Sequence, residues 1–420
     1  MMPRALPIDD GSRGRGSLFP YPPKLAIIST IVLYRRFGRT NLALPVISLG
    51  GMRYQESWTR GVEPSDASQK NLEATLDRAL ELGITHVETA RGYGTSEAQL
   101  GPALARHRRD RFVLQTKLRP SPNVKEFEAQ LEESFQLLKV DYLDLFALHG
   151  VNDKDSVDWS LAPGGCLEVV ERWRKQGRIR HIGFSTHAPQ PLILRMLESD
   201  RFDYINLHYY YLFQDNLPIL EAARRHDMGT FIISPSDKGG RLYRPSARLR
   251  ALCEPLSPMV FNDLWCLSHA DIHTISLGAT RPSDFDEHLL ALPLLADPAP
   301  ILQPIVKRLE EAYCQALGDE FGRHWFEGLR EWNELPGKIN VRRILWLRNL
   351  VLAFDLLDFA QERYMSMKPD DIWVPGARAA EFDDAQMIEA LPDSPFRGQI
   401  PAMLHEAHKM LFNPKVRPQP

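Results

Sequence analysis

Cysteine is scarce in this sequence: Cys166, Cys253, Cys266 and Cys314 are the four among 420 residues. No two form a C-x-x-C pair, so the spacing encodes neither a zinc site nor a disulfide framework. Such sparing use suits a reducing compartment, and a cytoplasmic location is the expectation. An excess of one charge is also lacking, with 51 Lys+Arg against 54 Asp+Glu for a formal net charge of -3. No basic stripe with interleaved aromatics is present, so no nucleic-acid partner is expected. Long apolar runs are missing too. The stretch 25–33 falls short of the roughly 20 residues that span a bilayer, so no membrane partner is expected. Arg4, Arg13 and Arg15 precede that stretch, but Asp9 and Asp10 oppose a transit peptide and no small-residue cleavage site follows. Residues 1–33 therefore read as a disordered extension. A G-x-G-x-x-G turn after the first strand is absent as well. Gly50–Gly51–Met52 stands there without the required spacing, which argues against a doubly wound dinucleotide fold.

What the sequence does contain is alternation. Short runs rich in β-branched and aromatic residues occur at 46–49, 84–88, 112–116, 143–148, 179–185, 204–209, 230–234 and 274–277. Each is followed by a helical pattern. Leu72, Leu76, Ala79 and Leu80 share one helix face, with Gly83 placed as a left-handed C-terminal cap. Phe127, Leu131, Phe135 and Leu138 mark another helix, and Gly177 and Gly229 end helical stretches before strands. Pro282 and Ser283 look like the start of the last barrel helix. Eight β-then-α units predict an α/β fold, a (β/α)8 TIM barrel over 34–296. Residues 297–420 lose the strands and form an all-helical C-terminal extension holding Trp325, Trp332, Trp346 and Trp373. The stretch 341–365 reads as one long helix, apolar on nearly every side. It should be buried against the barrel or against a second copy, so a homo-oligomer through these helices is an expectation.

Reactive side chains of such barrels come from the C-terminal ends of the strands. Strand two ends in Glu88 with Tyr93 beyond it, strand three in Lys117, and strand four in His149. Each alone has a structural reading, as a buried ion pair, a packing aromatic or a satisfied core histidine. Together at one barrel end they suit carbonyl reduction. A phenol with an ordinary pKa of about 10 is a weak acid, and a neighbouring ammonium strengthens it. Tyr93 is then the general acid, Lys117 its tuner, Glu88 the anchor of Lys117, and His149 the group that polarises the substrate oxygen. No side chain supplies a hydride, so a cofactor is required.

These residues resemble a known family. The segment HVETARGYG, 86–94, is similar to the Asp-Thr-Ala…Tyr-Gly segment of the aldo-keto reductases. QTK ending at Lys117 and LDLFALH ending at His149 resemble the next two motifs. The family's Asp, Tyr, Lys and His set then falls on Glu88, Tyr93, Lys117 and His149. IGFST, 182–186, resembles I-G-x-S-N, which implies that Ser185 and Thr186 bind the nicotinamide carboxamide, with Thr186 replacing Asn. ISPSDKGG, 233–240, resembles the pyrophosphate loop and implies Ser234, Pro235 and Lys238. The segment SLGATRPSDFDEHL from residue 276 resembles the last cofactor segment. It puts Glu287 at the adenine and Gly278 where a basic residue usually meets the 2′-phosphate, with Arg281 close by as its substitute. On strand six, Asn206, Tyr209 and Tyr210 complete the expected cofactor site. The nicotinamide ring stacks on one of the two tyrosines, which the sequence does not separate. The resemblance implies an NAD(P)H-dependent oxidoreductase acting on a small aldehyde or ketone, with NADPH as cofactor and NADH as the alternative.

Two departures stand out. Glu88 replaces the family's Asp and adds a methylene. ELPGKINVRRIL, 334–345, is similar to a run in a subgroup with a C-terminal ferredoxin-like helical region, but the cluster cysteines are absent. Iron–sulfur ligation needs about four thiolates, so no cluster is expected. A non-catalytic cofactor-binding sensor or assembly subunit is the main alternative. A metal-dependent barrel hydrolase using His149, His187, His208, Glu88 and Asp237 is the lesser one, since Lys117 would set a positive charge in the site. Arg91 and Trp58 are candidates to line the mouth, with an exposed loop position as the commoner reading of each.

Overall fold

The computed structural model describes residues 32–371 and 373–417. The expectation for 1–33 lies almost wholly outside them. A short antiparallel pair, β1 (Tyr34–Arg36) and β2 (Ala43–Pro45), precedes eight parallel strands. These are β3 (Ile47–Gly50), β4 (His86–Glu88), β5 (Val113–Leu118), β6 (Leu143–Leu148), β7 (Ile179–Ser185), β8 (Tyr204–Leu207), β9 (Gly229–Ile232) and β10 (Thr274–Leu277). They follow one another around a closed barrel, and Ile275 of β10 pairs with Ile47 of β3 to complete it. The (β/α)8 barrel read from the sequence is the observed fold.

Two strands stop earlier than their composition suggests. β9 ends at Ile232 because Ser234 is left-handed (φ 55°) and Pro235 opens a helical turn. β8 ends at Leu207, and Tyr210 pairs with Phe213 in a tight turn instead. Helices form where the periodicity places them. In Asp66–Glu81, Leu72, Leu76, Ala79 and Leu80 are buried, Ser65 accepts from the Ser68 amide, and Gly83 takes φ 83°. Gly229 has a different role from the one its sequence position suggests. Asp227 supplies the left-handed turn (φ 49°), while Gly229 opens β9 because Phe37 packs against it. A Cβ there would fall 2.7 Å from the Phe37 ring. Phe37 plugs the lower end of the barrel together with Leu145, Tyr204 and Phe231. Above the plug lies a polar layer, in which Ser48 bonds His86 Nδ1 (2.7 Å) and Thr274 (2.6 Å). Burial holds His86 neutral, with its pKa lowered to about 3.

The chain divides into two compact units. One holds the barrel, 32–239 with Met259–Ala299; the other holds Gly240–Pro258 with 300–417. The second unit gathers the helices Ala299–Leu317, Asp319–His324, Val341–Phe354, Leu357–Ser366, Asp384–Ala390 and Ile400–Leu411. Gly240–Pro258 joins them through Ser246, whose hydroxyl donates to Phe354 O (2.6 Å), and through the Arg241–Glu362 ion pair. The single long helix expected over 341–365 is broken. Asp355 caps Val341–Phe354 in the left-handed conformation (φ 57°), and a second helix starts at Leu357. Trp346, Phe359 and Trp373 meet edge to face in this unit, with the Arg363 guanidinium 4.9 Å from the Trp373 ring centroid. The run 334–345 forms two short turns, and Asn340 then caps the helix by accepting from the Arg343 amide (3.0 Å). Among the described residues no single helix is long and apolar enough to cross a membrane.

Candidate active site

Four of the predicted side chains meet at the C-terminal end of the barrel. Glu88 closes β4 opposite Gln115 of β5, and Lys117 lies two residues further along β5 on the same side. The chain beyond β4 keeps bonding to β5, through Thr89 N to Gln115 O (2.8 Å) and Arg91 N to Lys117 O (2.9 Å). A turn then returns Tyr93, and Gly94 (φ 54°) supplies the left-handed residue it needs. His149 follows β6 directly, its amide bonded to Leu118 O (2.8 Å).

Lys117 and Glu88 form an ion pair in the barrel interior, where they are 1% and 2% exposed. Lys117 also donates to Thr89 O (2.9 Å), and its ammonium lies 4.7 Å from the Tyr93 ring centroid. Burial pulls the Lys117 amine well below the usual lysine range. The touching carboxylate is what favours a retained proton. Burial, then the nearby Tyr54, pushes the Tyr93 phenol above its ordinary value. Tyr93 therefore carries its proton at neutral pH. The His149 ring stands perpendicular to Tyr93 at 5.5 Å. Burial, followed by the charges of Lys117, Arg119 and Lys238, holds this imidazole well below its usual pKa, so it is neutral. A proton-bearing phenol, a neutral imidazole and an anchored ammonium thus share one pocket.

The other predicted residues divide. Ser185 Oγ accepts from Gly150 N (3.0 Å), and Thr186 Oγ1 donates to Val151 O (2.7 Å), which closes the loop after β7. Asn206 pairs beside Ser185, is fully buried, and leaves both amide atoms without a hydrogen-bond partner. The Tyr210 hydroxyl donates to Ile233 O and contacts His208 Nδ1. Tyr209 faces the helical layer, where it stacks on Trp265 at 5.2 Å. Tyr209 is thus engaged with the helical layer, and Tyr210 is the tyrosine that touches His208. In the loop after β9, Ser234 and buried Pro235 precede Ser236, whose buried hydroxyl has no partner, while Lys238 Nζ lies 3.4 Å from His208 Nε2. Gly278 makes room for Arg53, since a Cβ there would lie 2.8 Å from the arginine stem. Arg281 is exposed and bonds Asp284 (2.9 Å), and Glu287 is half-buried on the helix Phe285–Leu289.

Two further cations, Arg53 and Arg119, were not singled out in the sequence, and His187, read there as a possible metal ligand, has a different neighbour. His187 stacks on His208 with ring centroids 4.4 Å apart. Arg53 lies 3.5 Å from Asp237. Arg119 follows the end of β5 and lies beside Gly150. Their only sequence signal is a position within a few residues of a strand's C-terminal end. Arg91, read as exposed, is instead buried between Glu97 and Glu133. Trp58 is exposed and stands edge-on to Tyr93 at 6.5 Å. Among the described residues no three His, Cys, Asp or Glu side chains are placed to hold a metal ion.

Residues 46–252 match the model of the Aldo/keto reductase family. That match takes in most of the barrel, which is similar to this family. The uncharacterized oxidoreductase YqkF of Bacillus subtilis is 29% identical over 168 residues, covering 37% of this chain and 49% of that protein. The chain thus spans about half the length of that relative. The holo form of aldo-keto reductase AKR11C1 from Bacillus halodurans superposes with a TM-score of 0.56 at 22% identity, over 66% of this chain and 96% of that one. An aldo-keto reductase from Klebsiella pneumoniae in complex with NADPH gives 0.52 at 22% identity, over 65% and 94%. These two likenesses show the shared barrel.

Proposed function

We propose that this aldo/keto reductase barrel reduces an aldehyde or ketone to an alcohol, with Tyr93 as proton donor and NADPH as cofactor. The observation that carries the reading is the buried Lys117 ammonium, fixed on Glu88 and set against the ring of a protonated Tyr93. The bound cofactor would supply the hydride to the carbonyl carbon. The C=O π electrons then move to oxygen, which takes the proton from Tyr93 Oη. The phenolate left behind is stabilised by Lys117, and neutral His149 donates a hydrogen bond to the oxygen as charge develops.

The donor set suits a nicotinamide. The orphaned Asn206 amide has one donor end and one acceptor end, the complement of a carboxamide, and Ser185 adjoins it. Thr186, although its hydroxyl already bonds backbone, lines the same loop. His208 and Tyr210 supply the ring wall in place of Tyr209. Ser234, Pro235 and Lys238, with the partnerless Ser236, would meet the pyrophosphate. Gly278, Arg281 and Glu287 would meet the adenosine end, and exposed Arg281 favours NADPH over NADH. The test is NADPH titration by fluorescence. Asn206→Leu should bind about 10-fold or more weaker, because a buried amide pair is lost, with no loss of thermal stability. Unchanged affinity would remove Asn206 from the cofactor site.

A further inference from the structure

The barrel wall that carries Lys117 and His149 also carries a cation that the reaction above does not use. Arg119 stands just past the end of β5, two residues beyond Lys117. Its guanidinium lies against Gly150, the residue after His149, 3.9 Å from where a Cβ on that glycine would sit. Arg119 is exposed, and among the described residues it pairs with no carboxylate. The acids of the mouth are engaged elsewhere, Glu88 on Lys117 and Asp237 beside Arg53. The positive charge is felt within the site, because Arg119 and Lys238 both help to hold His149 and His187 neutral.

The position of Arg119 separates substrate from cofactor. In the closed order of the barrel, β5 lies across from β9, which leads into the loop Ser234–Lys238. Arg119 is therefore on the wall of Tyr93, Lys117 and His149, opposite the groups assigned above to the pyrophosphate. A guanidinium there offers a planar fork of donors that matches a carboxylate or phosphate.

We infer that the substrate is a carbonyl compound bearing a second, anionic group, carboxylate or phosphate, and that Arg119 is the residue that selects it. This rests on the reductase reading. The test uses matched substrate pairs with NADPH: butanal against succinic semialdehyde for the carboxylate, and glyceraldehyde against glyceraldehyde 3-phosphate for the phosphate. The wild-type protein should prefer the anionic member of at least one pair by about 10- to 100-fold in kcat/KM, the range a charge-assisted hydrogen bond provides. The effect should lie in KM and weaken with salt. Arg119→Gln should bring the ratio close to one, and Arg119→Lys should restore part of it as a point charge. The pair that responds identifies the anion. Equal use of neutral and anionic substrates by the wild type, or an unchanged ratio in Arg119→Gln, would overturn the inference while leaving the reductase reading in place. Weaker NADPH binding in Arg119→Gln with an intact ratio would assign the guanidinium to the cofactor and overturn it too. No turnover of any member would overturn the reductase reading itself.

Discussion

Tyr93→Phe is expected to lower kcat by about 10²- to 10⁴-fold, the range by which a positioned general acid contributes, while NADPH affinity stays nearly intact. The substitution removes one oxygen from a ring held by its surroundings. Trp58 and His149 both stand edge-on to that ring, and the Lys117 ammonium lies 4.7 Å from its centroid. Among the described residues nothing hydrogen-bonds the Tyr93 hydroxyl, so its loss breaks no protein–protein bond. The effect therefore falls on turnover. Steady-state kinetics on a substrate the wild type reduces checks it. Activity within a few-fold of wild type would transfer the proton-donor role elsewhere.

Glu88→Gln is expected to destabilise the barrel by about 3–5 kcal/mol at neutral pH, the cost of leaving one partner of a buried pair uncompensated. Lys117 is 1% exposed, and Thr89 O would be its remaining acceptor. With the carboxylate gone, the amine keeps the low folded-state pKa that burial imposes. The unfolded chain, with an ordinary lysine near 10.4, then binds more protons than the folded one. Stability of the variant should rise with pH, and its deficit against wild type should shrink towards about pH 10. Denaturant unfolding across that range measures this. The double variant Glu88→Gln/Lys117→Met should recover much of the stability and none of the activity, because the charge and its need for a partner disappear together. Glu88→Asp keeps the charge and should be tolerated, since Lys117 is long and flexible. A Glu88→Gln barrel as stable as wild type would show that the pair does not organise the site.

Much of this architecture was legible in the sequence because it follows from period. The β strands repeat at two, the helices at 3.6, and eight such units have few ways to close. The ends of strands β4, β5 and β6 brought Glu88, Lys117 and His149 to one face for the same reason. What stayed hidden depends on packing. Tyr209 and Tyr210 are adjacent aromatics of equal character, and only the turn after β8 sets Tyr209 against Trp265 and Tyr210 against His208 and Ile233 O. Gly229 resembles a helix cap, yet its lack of a side chain answers to Phe37, far earlier in the chain. The break at Asp355 is a single left-handed residue within an apolar stretch that otherwise reads as continuous helix. Gly240–Pro258 lies between two barrel segments in sequence, and its grouping with the C-terminal helices rests on single contacts such as Ser246 to Phe354 O. Arg91 is equally instructive. A charged residue in a loop suggests solvent, but Glu97 and Glu133 give it partners that let it be buried.

If the Tyr93 pocket delivers the cofactor's hydride and a proton to a carbonyl, isotope transfer will reveal it. NADPH carrying deuterium at the transferable position of its nicotinamide is incubated with wild-type protein and a panel of aldehydes, ketones and quinones, and the products are analysed by mass spectrometry and NMR. Deuterium is expected on the carbinol carbon of at least one alcohol product, with near-disappearance in Tyr93→Phe. Tight NADPH binding by wild-type protein without label in any product would contradict it, and would identify the barrel as a cofactor-binding sensor.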